Sequence, residues 1–269
     1  MNIIGQTNII NNINNIKSLS SLPKSIIISG ESCSGRHTIY NYICDKFKLE
    51  QETITYELSL EILNSMYNVS IPKIYLIDLD TLSENKRLDR FQNTLLKFIE
   101  EPPEFAWIVI ITHTTNILLE TVLNRCRILT IQPYSISEFH DISLEHNKNF
   151  SDDELQLLKT PANVISLSID DINEIKKLAQ NIIDNMHKAN ISNALSLTHR
   201  LADKSINIYL FINIFTELLY KYYICTYNNK YYQALVLSKE LQRNLYVLNI
   251  NKSLLIDNYI LNLKIILDD

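Results

Sequence analysis

Glycine is the residue that this chain lacks most. Average usage of about 7% would give about 19 glycines in a chain of this length, but there are only three, Gly5, Gly30 and Gly35. Ile, Asn and Lys are abundant instead, a bias that is typical of AT-rich coding. A glycine that survives such a bias is expected where the backbone requires it. Because Gly30 and Gly35 follow an apolar run directly, this segment is the first candidate functional site.

Clustered cysteines and long apolar runs are also lacking. Cys33, Cys44, Cys126 and Cys225 lie far apart, so no close pair has the spacing of zinc ligands, and a chain of this length needs no disulfide framework. No segment reaches the roughly 18 uninterrupted apolar residues of a membrane helix. The first residues do not show the pattern of a leader peptide. We therefore expect a cytoplasmic protein without a membrane partner.

Basic residues are outnumbered by acidic ones. Lys and Arg total 25 against 30 Asp and Glu, which gives a net charge of −5. Because affinity for nucleic acid comes mostly from neutralised phosphates, we do not expect this chain to hold DNA alone. Apolar residues make up 46% of the chain and charged residues 20%, a composition that favours a packed core over disorder.

Strand and helix signals alternate over the first half of the chain. Short buried runs predict strands at residues 25–29, 74–78, 107–111 and 127–131, with helices at 8–19, 36–46, 88–99 and 117–123. This alternation predicts an α/β fold, a parallel sheet with helices on both faces. After Pro133 the signals are helical: 151–159, 170–189, 192–202, 206–226, 231–245 and 253–267. We therefore predict an α/β base domain at 1–134, a short helical lid at 135–168 and an all-α domain at 169–269.

The segment around Gly30 and Gly35 has the frame of a P-loop, in which a strand, Gly-x-x-x-x-Gly and a helix cradle phosphate with backbone N–H groups. Arg36, however, occupies the lysine position, and its planar fork does not replace a compact ammonium. His37 offers nitrogen where Mg²⁺ prefers oxygen. Thr38 lies one position late, about 100° around the helix. The pattern indicates a degenerate nucleotide site, and a plain strand–turn–helix corner is the alternative.

The strand at 74–78 would carry the acids of such a site. Asp78 fits the acid that holds a metal ion, but Leu79 stands where an acid is needed to accept a proton from water. Asp80 follows. The alternative interpretation is that Asp78 and Asp80 are only strand-end and helix-capping carboxylates.

Four segments together resemble one family. Residues 92–103, Gln-Asn-Thr-Leu-Leu-Lys-Phe-Ile-Glu-Glu-Pro-Pro, resemble a helix and Glu-Glu-Pro-Pro segment of bacterial clamp-loader subunits. Residues 108–116 resemble the sensor-one strand and loop, and Asn124-Arg125-Cys126 resembles the Ser-Arg-Cys motif with Asn in place of Ser. Ile4-Gly5-Gln6 is similar to the N-terminal Gly-Gln. Over residues 4–135 the chain resembles the AAA+ clamp loaders of replicative polymerases, most of all the delta-prime (stator) type of DNA polymerase III.

The resemblance implies a function for the whole chain. It implies a non-catalytic subunit of a hetero-oligomeric ring with other clamp-loader subunits, joined by a helical collar at 169–269. The ring would contact the sliding clamp indirectly and primed DNA through the complex. The resemblance also implies that Arg125 acts in trans, as an arginine finger, on ATP bound by the neighbouring subunit. An ordinary surface arginine, or one paired within its own domain, is the alternative.

The same resemblance implies a site without intrinsic ATPase activity. Its degenerate nucleotide-site residues would be Gly30, Gly35, Arg36, His37, Thr38 and Asp78. This subunit would then need no cofactor, and ATP and magnesium would act in partner subunits. The family's zinc module is not expected, because residues 35–74 contain only Cys44. The sensor-two position at 160–163 contains no basic residue.

Two other functions stay open. In the first, the chain is an active AAA+ ATPase or nucleotidase in which Arg36 contacts phosphates and Thr38 the metal; Leu79 argues against it. In the second, it is an AAA+-fold scaffold without a clamp-loading role. A dense group of tyrosines, at positions 220, 222, 223, 227, 231 and 232, could bind single strands, but few basic residues surround it, so we favour helix packing or a subunit contact.

Overall fold

The structure is a computed structural model that describes residues 3–54, 65–80, 88–186, 207–245 and 251–268. Within these ranges the chain forms two compact units. The first contains residues 1–147 and 160–165, and the second contains residues 148–159 and 166–269. The division into three parts at 134 and 168 stays a prediction, and the predicted helix at 192–202 lies outside the described residues.

A parallel five-stranded sheet forms the centre of the first unit, in the order β2-β3-β4-β1-β5. This confirms the predicted α/β fold. The strands are β1 (Ser25–Ser29), β2 (Glu50–Thr53), β3 (Lys73–Asp78), β4 (Ala106–Thr112) and β5 (Arg127–Thr130). Every residue of β1 and β4 is buried, because these strands have neighbours on both edges and helices on both faces.

Strand β2 was not predicted from the sequence. Its residues are Glu-Gln-Glu-Thr, and none of them is buried. It pairs with β3 from Glu50 opposite Lys73 to Thr53 opposite Leu76, and Lys73 Nζ lies 2.5 Å from Glu52 Oε2. An edge strand with one neighbour can be held by backbone hydrogen bonds and one ion pair, so it needs no apolar run that a sequence pattern would detect.

Among the described residues up to 147, five helices accompany the sheet: α1 (Thr7–Asn15), α2 (Arg36–Phe47), α3 (Leu88–Glu100), α4 (Glu120–Leu123) and α5 (Ile136–Glu145). Two apolar clusters fill the space on the two faces of the sheet. Ile26 and Ile28 belong to one cluster and Ile27 to the other, as the alternation of side chains along a strand requires. The core residues of β1 thus point to opposite faces in turn.

The remaining helices are α6 (Asp152–Leu158), α7 (Pro161–Ser166), α8 (Ile169–Asn185), α9 (Ile208–Thr226), α10 (Asn229–Asn244) and α11 (Lys252–Asp268). Reciprocal capping boxes begin three helices: Ser135 with Glu138 at α5, Ser151 with Glu154 at α6, and Ser168 with Asp171 at α8. These hydrogen bonds satisfy backbone N–H groups that a helix start leaves free. The helix predicted at 151–159 is confirmed as α6, whereas α5 and α7 were not predicted individually.

The tyrosine group lies where α9 meets α10. The ring centroids of Tyr222 and Tyr231 are 5.2 Å apart, and those of Tyr223 and Tyr232 are 5.6 Å apart. These distances are typical of aromatic pairs that pack two helices together. None of the described helices is long and apolar enough to cross a membrane.

The four thiols are expected to differ in reactivity. Cys33 and Cys225 are exposed, whereas burial raises the pKa of Cys44 and of Cys126 to about 11. The thiolate is the reactive form, so iodoacetamide at pH 8 should modify Cys33 and Cys225 in the folded chain and spare the other two. Peptide mass spectrometry measures this directly. Modification of Cys126 as fast as Cys225 would contradict the packing described for it.

Candidate nucleotide site

The turn between β1 and α2 needs both of its glycines, for different reasons. Gly35 precedes the first helical residue with φ +97°, a left-handed conformation that side chains rarely adopt. Gly30 is required by a close approach: a Cβ there would lie 2.9 Å from Ile131 Cβ. The two glycines therefore shape a P-loop-like turn against the end of β5.

The same turn is fastened by hydrogen bonds from other parts of the first unit. Tyr134 Oη donates to the Ser34 carbonyl oxygen at 3.2 Å, and the Ala162 N–H donates to the Cys33 carbonyl oxygen at 3.5 Å. The segment at 160–163, predicted to stand at the sensor-two position, thus contacts the turn through its backbone. Cys33 itself has φ 64°, so the turn places a non-glycine residue in the left-handed region.

Arg36, at the lysine position, is held by a carboxylate of its own chain. The Arg36 side chain is 5% exposed, and its Nη2 lies 2.6 Å from Asp80 Oδ2. The other oxygen, Asp80 Oδ1, accepts the backbone N–H of His113 at 3.1 Å and lies 3.1 Å from His113 Nδ1. One carboxylate therefore links the start of α2, the end of β3 and the end of β4.

His37 contacts a second carboxylate, that of Asp78. His37 Nε2 lies 3.1 Å from Asp78 Oδ2, and the Asp78 Oδ1 atom accepts the Asp80 N–H at 3.0 Å. Leu79, where catalysis would need an acid, is 2% exposed and belongs to the core. Thr38 lies beside the turn, with its Oγ1 3.9 Å from the position of a Cβ on Gly35.

These residues do not fit a magnesium nucleotide. The carboxylates of Asp78 and Asp80 are the oxygen ligands at hand, and each already contacts a basic side chain. Arg36 Nη1 and Ser34 Oγ are buried and have no hydrogen-bond partner among the described residues, so neither presents an exposed ligand to a metal ion. Within the described ranges, no group of His, Cys, Asp and Glu could hold a metal ion.

The structure brings together most residues that the sequence singled out, and it adds two. Asp80 was noted after Leu79 but given no role in the nucleotide site, and His113 was not assigned to the site. Both follow the carboxyl ends of neighbouring parallel strands, β3 and β4, which meet at one edge of the sheet. That topological rule was the signal available for them in the sequence.

Arg125 lies apart from this cluster, just after α4. Its Nη1 donates to the Thr121 carbonyl oxygen at 3.0 Å, and its Nη2 lies 3.0 Å from Glu100 Oε1. The side chains of Arg125 and Glu100 are 43% and 49% exposed. The guanidinium is thus paired within its own unit, as the alternative interpretation stated, and it is also open to solvent.

Part of the chain is similar to known proteins. The family described as "DNA polymerase III, delta subunit" matches residues 46–135, about a third of the chain. The DNA polymerase III subunit delta' of Bacillus subtilis (strain 168) is 38% identical over 55 residues, 20% of this chain and 17% of that protein. Over this part of its length, the chain is similar to DNA polymerase III clamp-loader subunits. The match spans less than a fifth of the curated relative's length.

Solved structures are similar in fold to this chain. A DNA polymerase III gamma subunit-related protein from Thermotoga maritima is similar over 95% of this chain and 98% of its own, with a TM-score of 0.54 and 16% identity. A mutant of RuvB from Thermotoga maritima is similar over 66% of each chain, with a TM-score of 0.50 and 14% identity. At these identities the likeness shows the AAA+ fold alone.

Gln6 and Gln92, which belong to two of the segments that resemble clamp-loader motifs, make structural hydrogen bonds here. The Gln6 side chain donates to the Gln132 carbonyl oxygen at 2.7 Å and accepts the Gln132 N–H at 2.9 Å. Gln92, 1% exposed, accepts the Leu119 N–H at 2.7 Å and donates to the Ile117 carbonyl oxygen at 3.1 Å. The first pair joins the N-terminus to the segment after β5, and the second fixes the loop that follows β4.

Proposed function

We propose that the chain is a non-catalytic, stator-like subunit of a DNA polymerase clamp loader. In this role it helps an ATP-driven ring to load the sliding clamp onto primed DNA, while other subunits bind and hydrolyse ATP with magnesium. The observation that carries the proposal is the pairing of Arg36 with Asp80 and of His37 with Asp78. Both carboxylates of the degenerate site are thereby occupied by the residues that replaced the lysine and the hydroxyl.

The chemistry of ATP hydrolysis explains why this pairing matters. Phosphoryl transfer needs a cation on the phosphates, a hydroxyl and an acid on the metal, and a group that orients water. Here the cation is buried against Asp80, an imidazole replaces the hydroxyl, and buried Leu79 replaces the acid. The substitutions are compatible with the turn and the sheet, since Arg36 pairs with Asp80 and His37 pairs with Asp78, and they remove the groups that act on ATP.

We also propose that Arg125 contributes in trans to ATP hydrolysis in the neighbouring subunit. It stands on the surface after a short helix, and its ion pair with Glu100 is solvent-exposed. Such a pair contributes only about 0–1 kcal/mol, so the guanidinium can exchange its carboxylate for a phosphate of a neighbouring subunit at little cost. The proposed partners of this chain in the ring are other clamp-loader subunits, and the proposed location is the cytoplasm.

We expect the purified chain to show no ATP turnover above background, because the metal hydroxyl and the water-orienting acid are both replaced. A phosphate-release assay with magnesium and ATP measures this, and equilibrium dialysis with labelled ATP measures binding separately. Arg127→Ala, at an exposed arginine on β5, is the control for nonspecific effects of losing a surface charge.

Turnover that disappears in Arg36→Ala and in His37→Ala, but persists in Arg127→Ala, would contradict the non-catalytic role. It would instead support the active ATPase with an atypical P-loop. His37 is 55% exposed, so its replacement tests the chemistry without a large loss of folding stability.

A further inference from the structure

A groove on the second unit lies outside everything assigned so far. Helices α6, α8 and α9 enclose a space of about 430 Å³ there. Leu157 of α6 and Ile214 and Leu218 of α9 supply its apolar lining. A space of this size holds one or two large apolar side chains, so it is suited to a short segment rather than to a flat protein face.

Basic residues surround this apolar lining selectively. Lys176 and Lys177 are the only basic residues of α8, and Lys221 is the only one of α9, and all three line the groove. The four acidic residues of α8 lie elsewhere on that helix, outside the lining. Glu217 also lines the groove, so the lining carries a net charge of +2, from three lysines and one glutamate.

Two of the three lysines are available to a ligand. Lys221 Nζ lies 3.0 Å from Glu217 Oε1, one turn away on the same helix. No ion pair is formed by Lys176 or Lys177 with any carboxylate in the part of the chain that the structure describes. In a chain with a net charge of −5, two adjacent unpaired lysines beside an apolar groove form a local site for negative charge.

Hydrogen bonds fix one end of the groove. Gln180, the last residue of α8 in the lining, donates its Nε2 to Tyr222 Oη, which donates to Asp184 Oδ1 at 3.2 Å. These contacts hold α8 and α9 together beyond the lining. The groove is therefore a shaped site between fastened helices, and a ligand would not have to open it.

We propose that this groove binds an acidic peptide segment of a partner protein, with a bulky apolar side chain on Leu157, Ile214 and Leu218. Carboxylates flanking that side chain would contact Lys176 and Lys177. Single-stranded nucleic acid fits less well, because the lining contains no aromatic ring on which a base could stack. The proposal does not depend on the role of the degenerate nucleotide site.

Fluorescence anisotropy with the full chain tests this proposal. The probe is a labelled 16-residue peptide of Glu with Leu at every third or fourth position, and the comparison probes replace Glu by Lys, Leu by Ser, or the peptide by oligothymidylate. We expect binding of the Glu/Leu peptide in the micromolar range that weakens with added salt. Lys176→Glu/Lys177→Glu should weaken that binding about tenfold or more.

Lys239→Glu is the matched control for Lys177→Glu, because both lysines are exposed on helices of the second unit. The control should change binding less than about twofold. Leu218→Ala, which shortens the apolar lining without changing charge, should also weaken binding. The proposal is overturned if the Glu/Leu peptide does not bind, or if Lys177→Glu and Lys239→Glu weaken its binding equally. It is also overturned if oligothymidylate binds more tightly than the Glu/Leu peptide.

Discussion

Replacing Arg125 with alanine in a reconstituted clamp-loader complex is expected to remove most ATP hydrolysis by the neighbouring subunit. An arginine supplied in trans to a transferring phosphoryl group is worth about 10³–10⁵ in rate. Folding and assembly should be unaffected, since the contacts that Arg125 loses, with Glu100 and Thr121, are exposed. The measurement is the steady-state ATPase rate of the complex, with complex formation checked by size-exclusion chromatography.

Arg127→Ala provides the control for this experiment. Arg127 is exposed, lies two residues further along, and begins β5 rather than ending a helix. Its replacement removes the same charge from nearly the same place and should have a much smaller effect. A complex that carries Arg125→Ala and still hydrolyses ATP and loads clamps at the normal rate would disprove the role of Arg125 in trans.

Asp80→Ala should destabilise the first unit by about 3 kcal/mol, which is typical of leaving a buried charge without its partner. Arg36 is 5% exposed and would lose its 2.6 Å ion pair, and His113 would lose its carboxylate. The chain's one tryptophan, Trp107, is buried in β4 of this unit, so its fluorescence reports the unfolding of the unit in urea.

A double-mutant cycle separates the ion pair from other effects of the substitution. In an Arg36→Met background no buried guanidinium remains, so Asp80→Ala should then cost much less than in the native chain. His37→Ala should cost less than Asp80→Ala, because the imidazole is 55% exposed and the Asp78 carboxylate keeps its hydrogen bond from the Asp80 N–H. Equal losses from Asp80→Ala in both backgrounds would show that the Arg36–Asp80 contact does not hold the turn.

The fold could be predicted from the sequence wherever a strand or helix contains a recognisable pattern of apolar residues. Strands β1, β3 and β4 are mostly apolar, β5 contains Ile128 and Leu129, and all four could be predicted from the sequence. Strand β2 escaped because its Glu-Gln-Glu-Thr sequence is stabilised by pairing with β3 rather than by its own side chains. A partner strand distant in the sequence leaves no local signal.

The candidate site could likewise be predicted only in part from the sequence. The two glycines can be recognised from the P-loop pattern, and Arg36, His37 and Leu79 can be recognised as departures from the residues that a nucleotide site needs. That Arg36 would turn to Asp80 depends on which strand ends lie side by side, a property of sheet order that local patterns do not contain. The contact of Arg125 with Glu100 likewise joins two motifs that are separate in the sequence.

The groove between α6, α8 and α9 could not be predicted at all. Lys176 and Lys177 belong to a helix whose other charged residues are acidic, and this pattern in the sequence indicates only a solvent-exposed helix face. Only the packing of α9 against α8 places Lys221 and the apolar residues of α9 beside them. The site is a consequence of tertiary structure, which hydrophobic periodicity describes for one helix at a time.

Native mass spectrometry of the complex recovered from the source organism, through a tag on this chain, tests whether the chain is a clamp-loader subunit. We expect a hetero-oligomer that contains this chain together with ATPase subunits carrying intact P-loops, and ATP turnover in that complex but not in the chain alone. Recovery of the chain by itself, or only as copies of itself, would contradict its assignment as a clamp-loader subunit.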